Sequence, residues 1–240
     1  ETIPDLGAGS VCLSSIESGE IDGYVDYTGT LYVNILKNPA SSDVEQVYTD
    51  SVKGMKEQYG LDVLNSLNVN NTYTLSTTKE IAEQYGLETI SDLKKIGGPV
   101  TICSTLAFMN REDGLLGVED RYGINFNKVG VDGSARYTAL MSGEGQVIDA
   151  YSTDGLLKKF DLVILEDDQG VFPPYYAVPV FREEIMEQYP EIADVTEALA
   201  DVLSTDTMAE LNYLVDEEGQ KAEEVAHNFL VENLPEYARK

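Results

Sequence analysis

Four tyrosines stand where a strand is expected to meet a loop or where the chain is expected to change lobe. They are Tyr27 in "DYTGT", Tyr73 in "NNTYTL", Tyr151 in "DAYSTDG" and Tyr175 in "FPPYYAVP". Two of their segments echo each other: "GEIDGYVDYTGT" at 19–30 and "GEGQVIDAYSTDG" at 143–155 both follow a Ser and run through Gly-Glu to Asp, Tyr and a Thr/Gly/Asp turn. A phenol ring presents a negative electrostatic face. It attracts a cation that cannot donate hydrogen bonds, such as a quaternary ammonium, and each desolvated contact is worth about 2 kcal/mol. In an open α/β sheet the loops at the carboxyl ends of strands line the ligand crevice, so the echo is expected to set one aromatic wall on each lobe. For any single tyrosine among the 15 present, a place in the core or on the surface is the plainer explanation. Spacing alone leaves cage and core evenly balanced.

The elements that must position these rings alternate along the chain. Residues 11–19 read as a short helix and 20–26 as a strand that ends in the YTGT turn. Residues 43–59 read as a helix with Val44, Val47, Val52 and Met55 on its apolar face and Gly60 as its stop signal. Strand and loop come next at 61–78, with a turn at 70–72. A helix at 78–86 is closed by Gly86, and 91–98 opens on a Ser-Asp cap and ends at a double Gly. Strands in "PVTICST", "FNKVGV", "QVIDAY" and "DLVILEDD" are interleaved with helices at 113–122 and 133–143. A strand at 175–181 leads into helices at 182–188, 191–203, 206–214 and 219–233. This alternation predicts an α/β fold with largely parallel sheets. It also predicts two lobes, 1–71 plus 177–240 and 72–176, with the chain crossing near 71–73 and 174–177. Two crossings make a hinge, and the cleft of such a fold is where a ligand is expected.

Composition removes several classes of function. With 16 Lys+Arg against 43 Asp+Glu, the net charge of −27 repels nucleic acid and anionic membrane surfaces. A solvated acidic surface accounts for most of these charges. No apolar run approaches the ~18–20 residues needed to span a bilayer. No signal segment is evident, so the chain reads as cytosolic or as the mature part of an exported protein. His227, the one histidine, lies on an amphipathic helical stretch, and Cys12 and Cys103 fall in different halves of the chain. Zinc sites, histidine triads and a disulfide framework are therefore not expected, and no metal or cofactor is assigned. Glu166, Asp167 and Asp168 are the carboxylates best suited to acid–base catalysis. Nothing sets them at a defined separation, so no catalytic residue is assigned and the chain is read as a non-enzyme.

Taken together, "GEIDGYVDYTGT", "NNTYTL", "IDAYSTDG" and "LEDDQGVFPPYYAVPV", in this order and spacing, resemble the substrate-binding proteins of osmoprotectant ABC importers. These are the glycine betaine/carnitine/choline-binding proteins, and the resemblance covers nearly the whole chain. It implies a two-lobed fold of the type II periplasmic-binding-protein class, with two mixed, mostly parallel sheets flanked by helices and the ligand cleft between the lobes. It implies a cage of Tyr27, Tyr73, Tyr151 and Tyr175 around a trimethylammonium group, with Tyr176 turned to the other side of its strand. It further implies that Thr30 reaches a ligand carboxylate through its hydroxyl or N–H, and that Arg111 grips the carboxylate with its bidentate fork. An Arg111 paired instead with Glu112, Asp113 or another surface acid is the open alternative. Asn71 is implied beside the cage, its amide fixing the hinge turn.

The same resemblance implies a quaternary ammonium solute and the permease subunits of an ABC importer as partners. It places the protein outside the cytoplasm, lipoprotein-anchored or periplasmic, as a monomer. Members of the family normally begin with a strand and a helix upstream of "ETIPDLGAGS". Without them the first lobe is expected to be weaker, to lack one ligand contact, and to present a sheet edge open to pairing with a second copy. A ligand-sensing regulatory module of the same fold is the other reading, which a fused signalling domain would mark.

Overall fold

The computed structural model describes residues 2, 3, 6, 9–131 and 133–238. The chain forms two compact units. One takes Glu1–Asn71, Pro174–Thr205 and His227–Lys240, and the other takes Thr72–Pro173 and Asp206–Ala226. The strands in chain order are β1 (Gly23–Tyr27), β2 (Leu61–Val63), β3 (Tyr73–Thr77), β4 (Val100–Ser104), β5 (Phe126–Gly130), β6 (Val147–Tyr151), β7 (Val163–Leu165) and β8 (Ala177–Arg182).

In the first unit the sheet order is β1-β8-β2 and both pairings are antiparallel. Ile16, Leu31, Met55, Leu61, Val63, Val178 and Val180 form its core. The helix Val44–Tyr59 starts where Asp43 accepts a hydrogen bond from the Gln46 amide at 3.0 Å, and it stops at Gly60 with φ 65°. Val47 and Met55 of its apolar face are buried, while Val44 stays exposed. The expected YTGT turn is replaced by helix. Thr28 and Gly29 leave β1 directly in helical geometry, and a π-helical segment continues over Thr30–Ile35. That path drives Leu31 and Tyr32 into the interior, which a solvent-facing turn would not do.

In the second unit the order is β5-β4-β6-β3-β7. Among the named strands, β4 pairs parallel with its neighbours β5 and β6, whereas β3 runs antiparallel to both β6 and β7. The first sheet is thus wholly antiparallel and the second mixed, and the expectation of mostly parallel strands is corrected. The helical crossovers Leu115–Tyr122 and Ala135–Met141 set β4, β5 and β6 running the same way. No crossover of that kind constrains β3 or β7 against its neighbours. Both faces of the second sheet are covered. Leu75, Ile102 and Val147 pack in one apolar layer, and Cys103, Ile148 and Ala150 in the other.

Two local expectations also shift. The 3₁₀ segment Ile90–Ile96 is capped at Thr89, two residues before the expected Ser-Asp start, with Asp92 accepting from the amides of Glu88 and Thr89 at 3.0 and 3.2 Å. Residues 177–240 were all expected in the first lobe, yet Asp206–Ala226 belongs to the second unit. The cause is specific contact. Asn212 donates to the Thr153 carbonyl at 3.0 Å, and Lys158 and Lys159 pair with Glu210 and Glu217. Gly155 lies so close that a Cβ there would sit 2.7 Å from Tyr213 Cα.

Candidate ligand-binding site

The site residues expected from sequence fall into two groups, one in each unit. In the second unit, Tyr73 opens β3 and Tyr151 ends β6, directly opposite in register. Their rings stack with centroids 4.9 Å apart at 28°, and the Tyr151 hydroxyl donates to the Tyr73 hydroxyl at 3.2 Å. Tyr73 also meets the buried rings of Phe108 at 5.0 Å and Phe172 at 6.5 Å. The result is a half-buried ring carrying a second ring that is 41% exposed. Burial, reinforced by the bond from Tyr151, pushes the Tyr73 phenol above its ordinary range.

Buried polar contacts hold this stack in place. Phe108 rides on the short helix Leu106–Met109, capped by Thr105. Asp149 of β6 accepts from the Thr105 amide at 3.0 Å and its hydroxyl at 3.2 Å, tying that helix to the strand that carries Tyr151. One oxygen of Asp154, Oδ2, accepts from the Tyr151 amide at 3.0 Å, the Tyr137 hydroxyl at 2.8 Å and Arg136 Nη2 at 2.9 Å. Arg136 in turn donates to the carbonyls of Asp149 and Gly133, each at 2.6 Å. A buried guanidinium with three such acceptors is compensated in the way a desolvated charge requires.

Two of the three carboxylates weighed for catalysis, Asp167 and Asp168, make structural contacts. Asp167 accepts from the Tyr122 hydroxyl and from the Phe172 amide, which fixes the Phe172 ring. Asp168 accepts from the amide and hydroxyl of Ser91, and Glu166 joins the loop through its backbone to Ile90. Among the described residues no group of His, Cys, Asp and Glu is placed to hold a metal ion.

Arg111 lies in the turn after Phe108. Its guanidinium carbon stands 5.6 Å from the Tyr73 centroid. Its Nε and Nη2 donate to the two oxygens of Asp113 at 2.7 and 2.5 Å. The alternative left open by the sequence is therefore present: Arg111 pairs with Asp113, while also lying against the tyrosine stack.

In the first unit, Asn71 links two of the expected tyrosines. Its amide side chain donates to the Tyr27 hydroxyl at 3.5 Å, and its backbone N–H donates to the Tyr175 carbonyl at 2.9 Å. The Tyr175 amide donates to Asn70 Oδ1 at 2.8 Å. Gly29 has an ordinary helical φ of −63°, yet a Cβ there would come 2.7 Å from the Tyr175 ring and 2.8 Å from the Pro174 carbonyl. The "YTGT" glycine thus serves close approach: the Tyr175 ring packs directly against bare backbone. Thr28 donates to the Pro174 carbonyl at 3.2 Å and accepts from the Tyr176 amide at 3.1 Å. Thr30, half-buried, opens the π-helical segment. Tyr176 lines a cavity of about 540 Å³ with Thr28, Val44, Tyr48 and Asn65.

Sequence reasoning missed Phe108, Phe172, Gly29 and Asp154. Asp154 stands in the quoted "DAYSTDG", where an Asp three residues beyond a strand-end Tyr is a turn signal that could have singled it out. The two phenylalanines gave no signal beyond apolarity.

Two α/β units, each with its own sheet and core, and aromatic side chains collected at strand ends define a solute-binding protein of the periplasmic-binding fold. The chain belongs to the family described as the substrate binding domain of ABC-type glycine betaine transport system, which matches residues 1–232. A Helicobacter pylori (strain G27) protein, the ergothioneine transport permease/ergothioneine binding protein EgtU, is 34% identical over 227 residues, covering 94% of this chain. This chain spans only 41% of that protein's length. The carnitine transport binding protein OpuCC of Listeria monocytogenes is 32% identical over 236 residues, 97% of this chain and 77% of its own. A solved structure, the crystal structure of a glycine betaine/carnitine/choline ABC transporter, matches with a TM-score of 0.90 at 32% identity, covering 95% of this chain and 84% of that one.

Proposed function

We propose that this chain captures a quaternary ammonium solute (glycine betaine, carnitine, proline betaine or choline) on the rings of Tyr27, Tyr73, Tyr151 and Tyr175. It works outside the cytoplasm, as a monomer, and hands the solute to the permease subunits of an ABC importer. The observation that carries the proposal is the Tyr73–Tyr151 stack. It is a rigidly backed aromatic surface with one ring open to solvent, and a methylated cation is the ligand such a surface favours. Asn71 fixes the loop that carries Tyr175, and Thr30 stands ready for a polar group of the ligand. Contacts of about 2 kcal/mol each, offset by ordering and desolvation, support roughly micromolar affinity, near −8 kcal/mol.

Arg111 is assigned to the carboxylate of a betaine. Calorimetric titration of Arg111→Ala with glycine betaine and with choline is the test. Loss of a charge-assisted contact is expected to weaken glycine betaine on the order of tenfold and choline far less. Equal losses for both ligands would remove Arg111 from the site. Binding of neither ligand by the wild type would remove the proposal itself.

A further inference from the structure

The Arg111–Asp113 pair adjoins the tyrosine stack, and its importance rests on the proposed binding of quaternary ammonium solutes there. Arg111 holds its guanidinium carbon 5.6 Å from the Tyr73 centroid. A cation seated on the same ring lies within about 6 Å of that centroid, so the two positive charges are no more than about 12 Å apart. Left uncompensated, the guanidinium repels the very group that the ring attracts. Asp113 is placed to cancel it, taking Nε at 2.7 Å and Nη2 at 2.5 Å.

The pairing is built into the local chain. The Arg111 amide donates back to the Phe108 carbonyl at 3.3 Å, and the Gly114 amide donates to the Arg111 carbonyl at 3.2 Å. Gly114 closes the turn at a point where a Cβ would come within 2.6 Å of the Phe108 carbonyl. The turn therefore folds Asp113 onto Arg111 beside the same Phe108 that packs against Tyr73. The Asp113 side chain is 23% exposed and that of Arg111 45% exposed, so solvent screens part of this pair's attraction.

We propose that Asp113 sets the selectivity of the site. By occupying the guanidinium fork it lowers the positive charge facing Tyr73 and competes with a ligand carboxylate for Arg111. Both effects narrow the difference between zwitterionic betaines and the purely cationic choline. Asp113 acts through Arg111, as a positioning residue with no ligand contact of its own.

Asp113→Asn keeps the side-chain shape and removes the charge. Calorimetric Kd values for glycine betaine and choline, on the full chain of wild type and variant, read the effect as a ratio. Two unit charges about 12 Å apart at an effective dielectric near 20 alter an equilibrium constant by on the order of tenfold, and screening lowers this. Choline is expected to weaken about fivefold while glycine betaine holds or tightens, so the choline-to-betaine Kd ratio rises by on the order of tenfold. A second readout needs no ligand. The Arg111 Nε–H resonance is expected to be slow to exchange in the wild type and fast in the variant. A wild type that binds both ligands with a ratio unmoved by the substitution overturns the role of Asp113 and leaves the tyrosine proposal standing. Equal exchange in the two proteins overturns the pairing itself. A wild type that binds neither ligand overturns the tyrosine proposal, and this one with it.

Discussion

Tyr151→Ala is expected to weaken glycine betaine binding by about thirtyfold while leaving the melting temperature close to that of the wild type. The magnitude comes from losing one desolvated cation contact, about 2 kcal/mol. The two readouts separate because Tyr151 is 41% exposed and contributes little to the core, whereas its partner Tyr73 is packed on Phe108 and Phe172. Tyr151→Phe keeps the ring face and removes only the hydroxyl that bonds to Tyr73 at 3.2 Å. It should recover most of the lost affinity. A calorimetric titration in which Tyr151→Ala binds like the wild type would exclude this ring from ligand contact. One in which Phe fails to rescue would point to the hydroxyl instead.

The largest effect on stability is expected from Asp154→Ala. Its single oxygen satisfies the Tyr151 amide, the Tyr137 hydroxyl and Arg136, whose side chain is 8% exposed. Removing the carboxylate takes the nearest acid from the buried guanidinium, leaving it Asp149 at 3.9 Å and two backbone carbonyls, and costs about 3 kcal/mol. For a chain of this size that corresponds to a fall in Tm of roughly 10 °C. The same change unfastens the end of β6, so ligand affinity should fall as well, although Asp154 is not assigned to the ligand. Thermal denaturation followed by circular dichroism checks the first part, and an unchanged Tm would show that the network does not hold the strand.

Much of the fold was legible in the sequence, because helix boundaries are written in local chemistry. Asp43 and Gly60, Thr78 and Gly86 each sit where an N-cap or a left-handed stop is needed. Strand direction was not legible. The apolar pattern of β3 or β8 is the same whether its neighbour runs parallel or antiparallel, so the antiparallel pairing of β1, β8 and β2 came only from the three-dimensional structure. The allocation of Asp206–Ala226 was hidden for a similar reason: an amphipathic helix declares that it has a buried face without saying whose core it covers.

The candidate site was legible to a similar depth. Thr-Gly-Thr after Tyr27 carries the composition of a turn, yet Gly29 is helical and its missing Cβ makes room for the Tyr175 ring. A glycine chosen for conformation and one chosen for clearance look identical in a sequence. Tyr73 and Tyr151 were recognisable as strand-end aromatics. Their pairing across β3 and β6 was not, since it depends on register. For Arg111 the sequence leaves a ligand carboxylate and several neighbouring acids open as partners, Asp113 among them.

That a positive charge on methylated nitrogen is what the tyrosines select can be tested with one pair of ligands. Choline and its neutral carbon isostere 3,3-dimethyl-1-butanol have nearly the same shape and differ in charge. Titrated calorimetrically into the wild-type chain, choline should bind at least tenfold more tightly than the isostere, because only the cation gains from the aromatic faces. Equal affinities would mean that the rings act as a plain apolar surface, and the assignment of the site to quaternary ammonium solutes would be contradicted.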